Sequence, residues 1–223
     1  MKNKSSLILV RHGQSIYNEQ NRFTGWKDVE LTNKGISEAY QAAGLLKDFI
    51  FTHAFTSKLI RAQHTLDIIL NELDQKIDIE KNISLNERNY GDLVGQNKKE
   101  AAEIFGEKQI EIWRRSFDTP PPNGESLKMT ADRTIPYFKE NIQPLLTGDN
   151  TVIVSAHGNS IRSIVMHLHD LSNKQILKTE VGWCEPWVYN YFSGSITDFS
   201  ILGRPGVESN SSIPQDLQIE TSA

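Results

Sequence analysis

The chain alternates short aliphatic runs with longer stretches of helical periodicity. Runs within residues 7–10 and 151–154 predict strands buried on both faces, and residues 53–57 and 77–80 predict two shorter strands. Apolar positions at helical spacing predict helices over about 36–49, 58–73, 98–105, 108–117, 126–146, 160–169 and 174–178. This alternation predicts an α/β fold, a three-layer sandwich whose mostly parallel sheet is covered by helices on both faces.

Polar, glycine and proline residues mark the connections between these elements. Residues 16–30 are polar and predict an irregular loop over a site. Residues 119–124 include three consecutive prolines and therefore predict a rigid connection. Pro136 falls inside the longest helical stretch, where a proline is expected to cause a kink or a local break.

The last third of the chain predicts a hairpin and then a tail. Residues 187–192 and 195–202 alternate as strands do, with a turn at 193–194. The segment 205–223 is rich in Ser, Asn, Gln and Pro, so we expect it to be disordered. The remaining residues, 1–204, are expected to form a single catalytic domain, since a chain of 223 residues is short for two.

Charge and composition exclude several classes of protein. A formal net charge of −4 gives no general attraction to nucleic acid or to an anionic membrane. Cys184 is the only cysteine, which excludes an intramolecular disulfide and a cysteine-based zinc cluster. The apolar stretch before Arg11 is too short for a signal peptide, and no run reaches membrane-spanning length. We therefore expect a cytoplasmic protein.

The two most apolar strands end in the same dipeptide. The first is followed by Arg11, His12 and Gly13, and the second by His157 and Gly158. Because the carboxyl ends of parallel strands meet at one edge of a sheet, where open α/β folds bind ligands, we expect both histidines in one site. A single Arg-His pair would be weak support, since a core histidine is a common alternative, but two matched strand ends favour a functional site.

The residues expected around these histidines suit phosphoryl transfer. A neutral imidazole can attack phosphorus directly, and a carboxyl group such as Glu87 can protonate the departing oxygen. The helix that starts after Gly158 and Asn159 offers free N–H groups to an anion. Phosphate oxygens would be held by a set of cations that require no metal, namely Arg11, Arg61, Arg88, Lys98, Arg114 and Arg115.

These motifs resemble a known family. Residues 11–13 together with His157 and Gly158 resemble the histidine phosphatase superfamily. Within it the chain is similar to the cofactor-dependent phosphoglycerate mutases over residues 11–18, 21–26, 85–91, 95–98, 113–115 and 156–160. The resemblance implies the phosphoglycerate mutase-like fold and interconversion of 3-phosphoglycerate and 2-phosphoglycerate, primed by 2,3-bisphosphoglycerate and without a metal. Mutases of this kind are often dimers, so a homodimer is also implied.

The resemblance also implies roles for individual residues. His12 would be the phosphorylated nucleophile, His157 its partner and Glu87 the acid and base, with Arg11 and Arg61 assisting catalysis. The substrate would be bound by Arg11, Ser15, Asn18, Thr24, Gly25, Arg61, Glu87, Arg88, Tyr90, Lys98, Arg114, Arg115, Gly158 and Asn159.

Two other functions use the same motifs. A phosphatase of this fold would let water attack the phosphohistidine, and the short segment 116–124, where familiar mutases have a longer insertion, leaves that alternative open. A non-catalytic phospholigand-binding protein would not need His12, Glu87 and His157 together. Cations beyond those that one phosphate requires, Lys98 among them, favour the mutase.

Overall fold

A computed structural model describes residues 4–203 as a six-stranded sheet between two layers of helices. The strands are β1 (Lys4–Arg11), β2 (His53–Thr56), β3 (Ile79–Lys81), β4 (Thr151–Ala156), β5 (Pro186–Phe192) and β6 (Ser195–Ile201). Their order is β3-β2-β4-β1-β5-β6. The first four strands in that order are parallel, and the β5–β6 hairpin adds to β1 antiparallel. The predicted mostly parallel α/β sheet is confirmed.

The centre of the sheet is the pair of aliphatic strands, β1 and β4. Leu9 pairs with Val154 and Arg11 with Ala156 in parallel register. The two strands therefore end side by side, as the matched His-Gly dipeptides predicted. The backbone N–H of His12 still donates to the Ala156 carbonyl at 3.0 Å, which extends the ladder into the site.

Helices cover both faces of the sheet. They are α1 (Ile16–Glu19), α2 (Asn33–Leu45), α3 (Ile60–Glu72), α4 (Lys98–Phe105), α5 (Glu107–Arg115), α6 (Leu127–Tyr137), α7 (Gly158–Leu168) and α8 (Asn173–Lys178). Ile8 and Val10 of β1 pack in one core with α2 and α3, whereas Leu7 and Leu9 pack in another with α6, α7 and α8. Strand residues alternate between faces, so one aliphatic run supplies both cores.

Two regions differ from the pattern-based expectation. Residues 16–30 are not wholly irregular, because Ser15 caps the short helix α1 and accepts a hydrogen bond from the Asn18 N–H. The long helix expected over 126–146 is broken after α6 into a π-helical turn, Phe138–Ile142, and a 3-10 turn, Gln143–Leu146. Pro136 lies just before that change and lacks the N–H needed for a regular ladder, so the predicted local break is confirmed.

Some expectations concern segments that the structure does not describe. The predicted tail, 205–223, lies outside the described residues, and the single catalytic domain over 1–204 stays a prediction. Every helix within residues 4–203 is too short or too polar to cross a lipid bilayer.

Candidate active site

Two buried imidazoles form the floor of the site. His12 is 2 % exposed and His157 is fully buried, and their rings meet edge to face with centroids 5.0 Å apart. Gly13, next to His12, lies against the start of α2, where a Cβ on this residue would be 2.3 Å from the Gly35 carbonyl oxygen. The strand end and that helix can pack closely only because both positions are glycine.

Hydrogen bonds assign the tautomer of His12. Its Nδ1 lies 2.7 Å from the Gly13 carbonyl oxygen. A carbonyl can only accept, so Nδ1 carries the proton and Nε2 keeps the lone pair. Arg61 Nε donates to that Nε2 at 3.2 Å. The Nε2 atom is therefore unprotonated and lies beside a guanidinium.

Burial and neighbouring cations keep both rings neutral. Burial, followed by the charges of Arg61 and Arg11, lowers the pKa of His12 well below its ordinary value of 6.5. The pKa of His157 is likewise lowered well below 6.5, first by burial and then by Arg61. The Nε2 of His157 is 2.7 Å from the Ser57 hydroxyl oxygen, which fixes the ring behind His12.

Hydrogen bonds hold the Glu87 side chain at the start of α7. Its Oε1 accepts from the backbone N–H of Asn159 at 3.1 Å, from Asn159 Nδ2 at 2.9 Å and from the Arg88 N–H at 2.8 Å. The carboxyl group of Glu87 thus occupies the helix N-terminus that the sequence predicted as an anion site. It lies in the same cavity as His12.

Side chains from distant parts of the chain line a cavity of about 170 Å³ above His12. The residues predicted from the sequence that line it are Arg11, His12, Asn18, Thr24, Gly25, Arg61, Glu87, Arg88, Tyr90, Lys98, Arg114, Arg115, Gly158 and Asn159. Arg61 connects His12 with the loop that carries Gly25, because its Nη2 also donates to the Gly25 carbonyl at 2.9 Å. The guanidinium of Arg88 lies 4.6 Å from the ring centroid of Tyr90, a cation–π contact.

Two predicted residues lie outside the cavity lining. Ser15 is fully buried beneath it, where its hydroxyl bonds to Asn18 Oδ1 at 2.9 Å and so orients a residue that does line the cavity. His157 lies behind His12 rather than at the surface of the cavity.

The cavity is also lined by residues that were not predicted from the sequence, namely Arg22, Phe23, Arg162, Glu180 and Val181. Arg162 follows Asn159 by three positions on α7, and this helical spacing could have identified it; its Nη1 donates to Asn159 Oδ1 at 3.3 Å. Glu180 comes from a segment with no recognisable motif, and its Oε1 accepts from Arg115 at 2.6 Å.

Residues 4–203 contain no group of three or more His, Cys, Asp or Glu side chains arranged to hold a metal ion. The donor set of the cavity is dominated instead by guanidinium groups, which suit phosphate and carboxylate oxygens.

An α/β sheet with two histidines at adjacent strand ends, beneath an arginine-lined cavity, defines a class of phosphoryl-transfer protein. The chain belongs to the histidine phosphatase superfamily, whose branch 1 pattern matches residues 7–197. It is 54 % identical over 186 residues to the 2,3-bisphosphoglycerate-dependent phosphoglycerate mutase of Nitrobacter hamburgensis, covering 82 % of this chain and 90 % of that protein.

Solved structures share the fold at lower identity. The phosphoglycerate mutase of Bacillus anthracis superposes with a TM-score of 0.72 at 24 % identity, covering 91 % of this chain and 93 % of that one. The alpha-ribazole phosphatase of Shigella flexneri gives a TM-score of 0.77 at 22 % identity, covering 91 % and 99 %. A mutase and a phosphatase thus superpose about equally well, and the fold alone does not choose between these activities.

Proposed function

We propose that this chain interconverts 3-phosphoglycerate and 2-phosphoglycerate, as a mutase that depends on 2,3-bisphosphoglycerate. The observation that carries the proposal is the unprotonated Nε2 of His12 below a cavity with more cations than one phosphate requires. The curated relatives that share about half of the sequence, including the Nitrobacter protein, carry the same activity in their names.

In the proposed reaction His12 carries the phosphoryl group. Its Nε2 attacks phosphorus, the P–O bond of the phosphate ester breaks, and Glu87 gives its proton to the departing oxygen. In the second half-reaction Glu87 takes the proton back from the incoming hydroxyl, which then attacks the phosphohistidine. Arg11 and Arg61 neutralise charge on the transferring group, and His157 assists them when protonated.

The other cavity residues would bind the parts of the substrate that do not react. A mutase must hold the carboxylate and the second phosphate of its substrate in the two orientations that the half-reactions require. Hydrolysis requires a single phosphate site. Lys98, Arg114 and Arg115 extend the cationic lining beyond His12 and suit those additional groups. Backbone and side-chain groups of the remaining lining would fix the orientation, namely Asn18, Thr24, Gly25, Arg88, Tyr90, Gly158 and Asn159.

The residues present fit the proposed cofactor. The Nε atoms of Arg11 and Arg88, both cavity-lining residues, are buried without a hydrogen-bond partner in the part of the chain that the structure describes. An anion with several phosphate oxygens would satisfy such donors. When bound, 2,3-bisphosphoglycerate supplies the phosphoryl group that primes His12. The proposal includes no metal.

A phosphatase is the second candidate, and one feature favours it. Residues 116–124 do not line the cavity; they pack against the neighbouring loop instead, where the Asp92 N–H donates to the Pro122 carbonyl at 3.0 Å. A segment placed there does not shield phosphohistidine from water.

One assay separates the two activities. Turnover of 3-phosphoglycerate is measured with and without 2,3-bisphosphoglycerate, in a metal chelator, while free phosphate is followed in parallel. Bisphosphoglycerate-dependent formation of 2-phosphoglycerate with little free phosphate supports the mutase, and mostly free phosphate supports the phosphatase. Loss of all turnover on chelation would contradict the metal-free mechanism.

His12→Ala should abolish the labelled phosphoenzyme, and a label that survives would overturn the assigned nucleophile.

The proposal extends to the setting of the enzyme. A small phosphorylated acid is its substrate, neither nucleic acid nor a membrane is a partner, and the chain acts in the cytoplasm as a homodimer. Sedimentation of the purified protein at two concentrations tests the oligomeric state, and a monomer at both would contradict it.

A further inference from the structure

The main chain of Glu87 is held by two side chains from outside its own loop. Its carbonyl oxygen accepts from Trp26 Nε1 at 2.5 Å and from Arg133 Nη2 at 3.0 Å. Trp26 directly follows the cavity residues Thr24 and Gly25, whereas Arg133 belongs to α6. The Arg133 guanidinium also lies 5.6 Å from the Trp26 ring centroid, so the two donors support each other.

Arg133 is itself fixed by a half-buried ion pair. Its Nε and Nη2 donate to the two carboxylate oxygens of Glu125, each at 2.9 Å, and its Nη1 donates to the Ser84 carbonyl at 2.9 Å. Glu125 Oε2 in turn accepts from the Asn89 N–H at 2.9 Å. The Arg133–Glu125 pair therefore holds this loop at Ser84, before Glu87, and at Asn89, after it.

Such support matters because Glu87 lies between short 3-10 turns, outside a helix or a strand. General acid catalysis requires the carboxyl group within hydrogen-bond reach of the departing oxygen. Neither Trp26 nor Arg133 is among the residues that line the cavity, so neither is placed to touch the substrate. Both contact Glu87 directly.

We propose that Trp26 and Arg133 are positioning residues for Glu87, which together place its carboxyl group where the ester oxygen must be protonated. This inference rests on the proposed role of Glu87. It predicts a specific kinetic defect: variants of either residue lose proton donation while phosphate binding and nucleophilic attack by His12 persist.

Two phosphoryl donors distinguish that defect from general damage. Transfer from 2,3-bisphosphoglycerate releases a basic alcohol oxygen, which needs the proton of Glu87 as the P–O bond breaks. Transfer from p-nitrophenyl phosphate releases a weakly basic phenolate, which leaves without one. Phosphoenzyme formation is measured by rapid quench with each donor in the full-length chain. The variants are Trp26→Phe, which removes the N–H donor and keeps a smaller aromatic ring, and Arg133→Lys, which removes the planar fork but keeps the charge.

We expect each variant to slow phosphoenzyme formation from 2,3-bisphosphoglycerate about 5- to 50-fold, part of the 10²–10⁴-fold that a general acid contributes. The rate with p-nitrophenyl phosphate should change less than about 2-fold, and in mutase turnover kcat should fall at nearly constant KM because no cavity residue is altered. Lys128→Met is the matched control on α6, since it removes only an exposed ion pair with Asp132.

Equal loss with both donors, a rise in KM in place of a fall in kcat, or no loss at all would overturn the inference. Glu87→Gln, assayed in parallel, distinguishes failure of the positioning inference from failure of the proposed function. If Glu87→Gln shows the donor dependence and the two variants do not, the positioning role alone is wrong. If Glu87→Gln shows none, the assigned acid is wrong and the positioning role is wrong with it. Should Arg133→Lys fail to fold, the milder Trp26→Phe still decides the outcome.

Discussion

Two neutral histidines buried beside arginines should make the stability of this protein depend on pH near 6. His12 is 2 % exposed and His157 is fully buried, and both have pKa values well below 6.5, first because of burial and then because of Arg61. In the unfolded chain these rings are solvated and titrate near their ordinary pKa of about 6.5. We therefore predict a loss of stability as pH falls below 6.5.

The sign and size of the effect follow from proton linkage. Between the lowered folded-state pKa and 6.5 the unfolded state binds more protons, so acidification favours unfolding. Stability is fully retained above pH 6.5 and is lost as pH falls towards the folded-state pKa. Acidification from pH 7.5 to 5.5 lowers the free energy of unfolding by about 1.4 kcal/mol for one histidine that stays neutral in the folded state. For two such histidines the loss is about 2.7 kcal/mol.

Urea unfolding at pH 7.5 and 5.5 measures this loss. His12→Asn and His157→Asn should each remove about 1.4 kcal/mol of the pH-dependent difference, since carboxylates that titrate at lower pH are shared with the wild type. Ile8→Val in β1 is the control, because it costs about 1 kcal/mol at both pH values and leaves the difference unchanged. If either histidine variant keeps the full wild-type difference, that ring binds its proton equally well in the folded and unfolded chains and the reasoning fails.

Three further predictions concern charge and packing. Arg61→Lys should slow phosphoenzyme formation by about 10²-fold in a rapid-quench assay, since lysine loses the fork that contacts His12 and the loop carbonyls. Glu180→Gln should lower KM for phosphoglycerate a few-fold at low salt by releasing Arg115 from its 2.6 Å ion pair, and the gain should vanish in high salt, where exposed charges are screened. Gly13→Ala should destabilise the fold by about 3 kcal/mol or more in urea unfolding, because its Cβ meets the Gly35 carbonyl at 2.3 Å.

The central sheet could be predicted because its signals are local. Four aliphatic residues before Arg11 and a similar run before His157 identify buried strands by themselves, and the rule that parallel strands end at one edge brings the histidines together. The break after Pro136 also follows from one residue, since proline removes a donor wherever it stands.

Contacts between secondary-structure elements could not be predicted from local sequence in the same way. The Arg133 guanidinium reaches Glu87 only because α6 lies beside the loop that carries it, and the two residues are 46 positions apart. Glu180 enters the cavity from a segment without periodicity or motif. Ser15 belongs to a motif shared with the family, yet its pattern cannot say whether the hydroxyl faces the cavity or caps α1. In each case the outcome depends on how elements pack in three dimensions.

The neutral state of His157 has to be reconciled with its proposed role as a protonated partner. Burial and the charge of Arg61 are the two largest causes of its lowered pKa, and a bound anion offsets only the second. A phosphate beside Arg61 and Arg11 should therefore raise the pKa of His157 without restoring its ordinary value, so that protonation accompanies ligand binding. Titration of the imidazole signals by NMR, with and without saturating inorganic phosphate, measures this shift, and His12→Asn keeps the second ring from confusing the assignment. An unchanged pKa would mean that His157 acts as a neutral hydrogen-bonding group throughout, and that the arginines alone neutralise the transferring phosphoryl group.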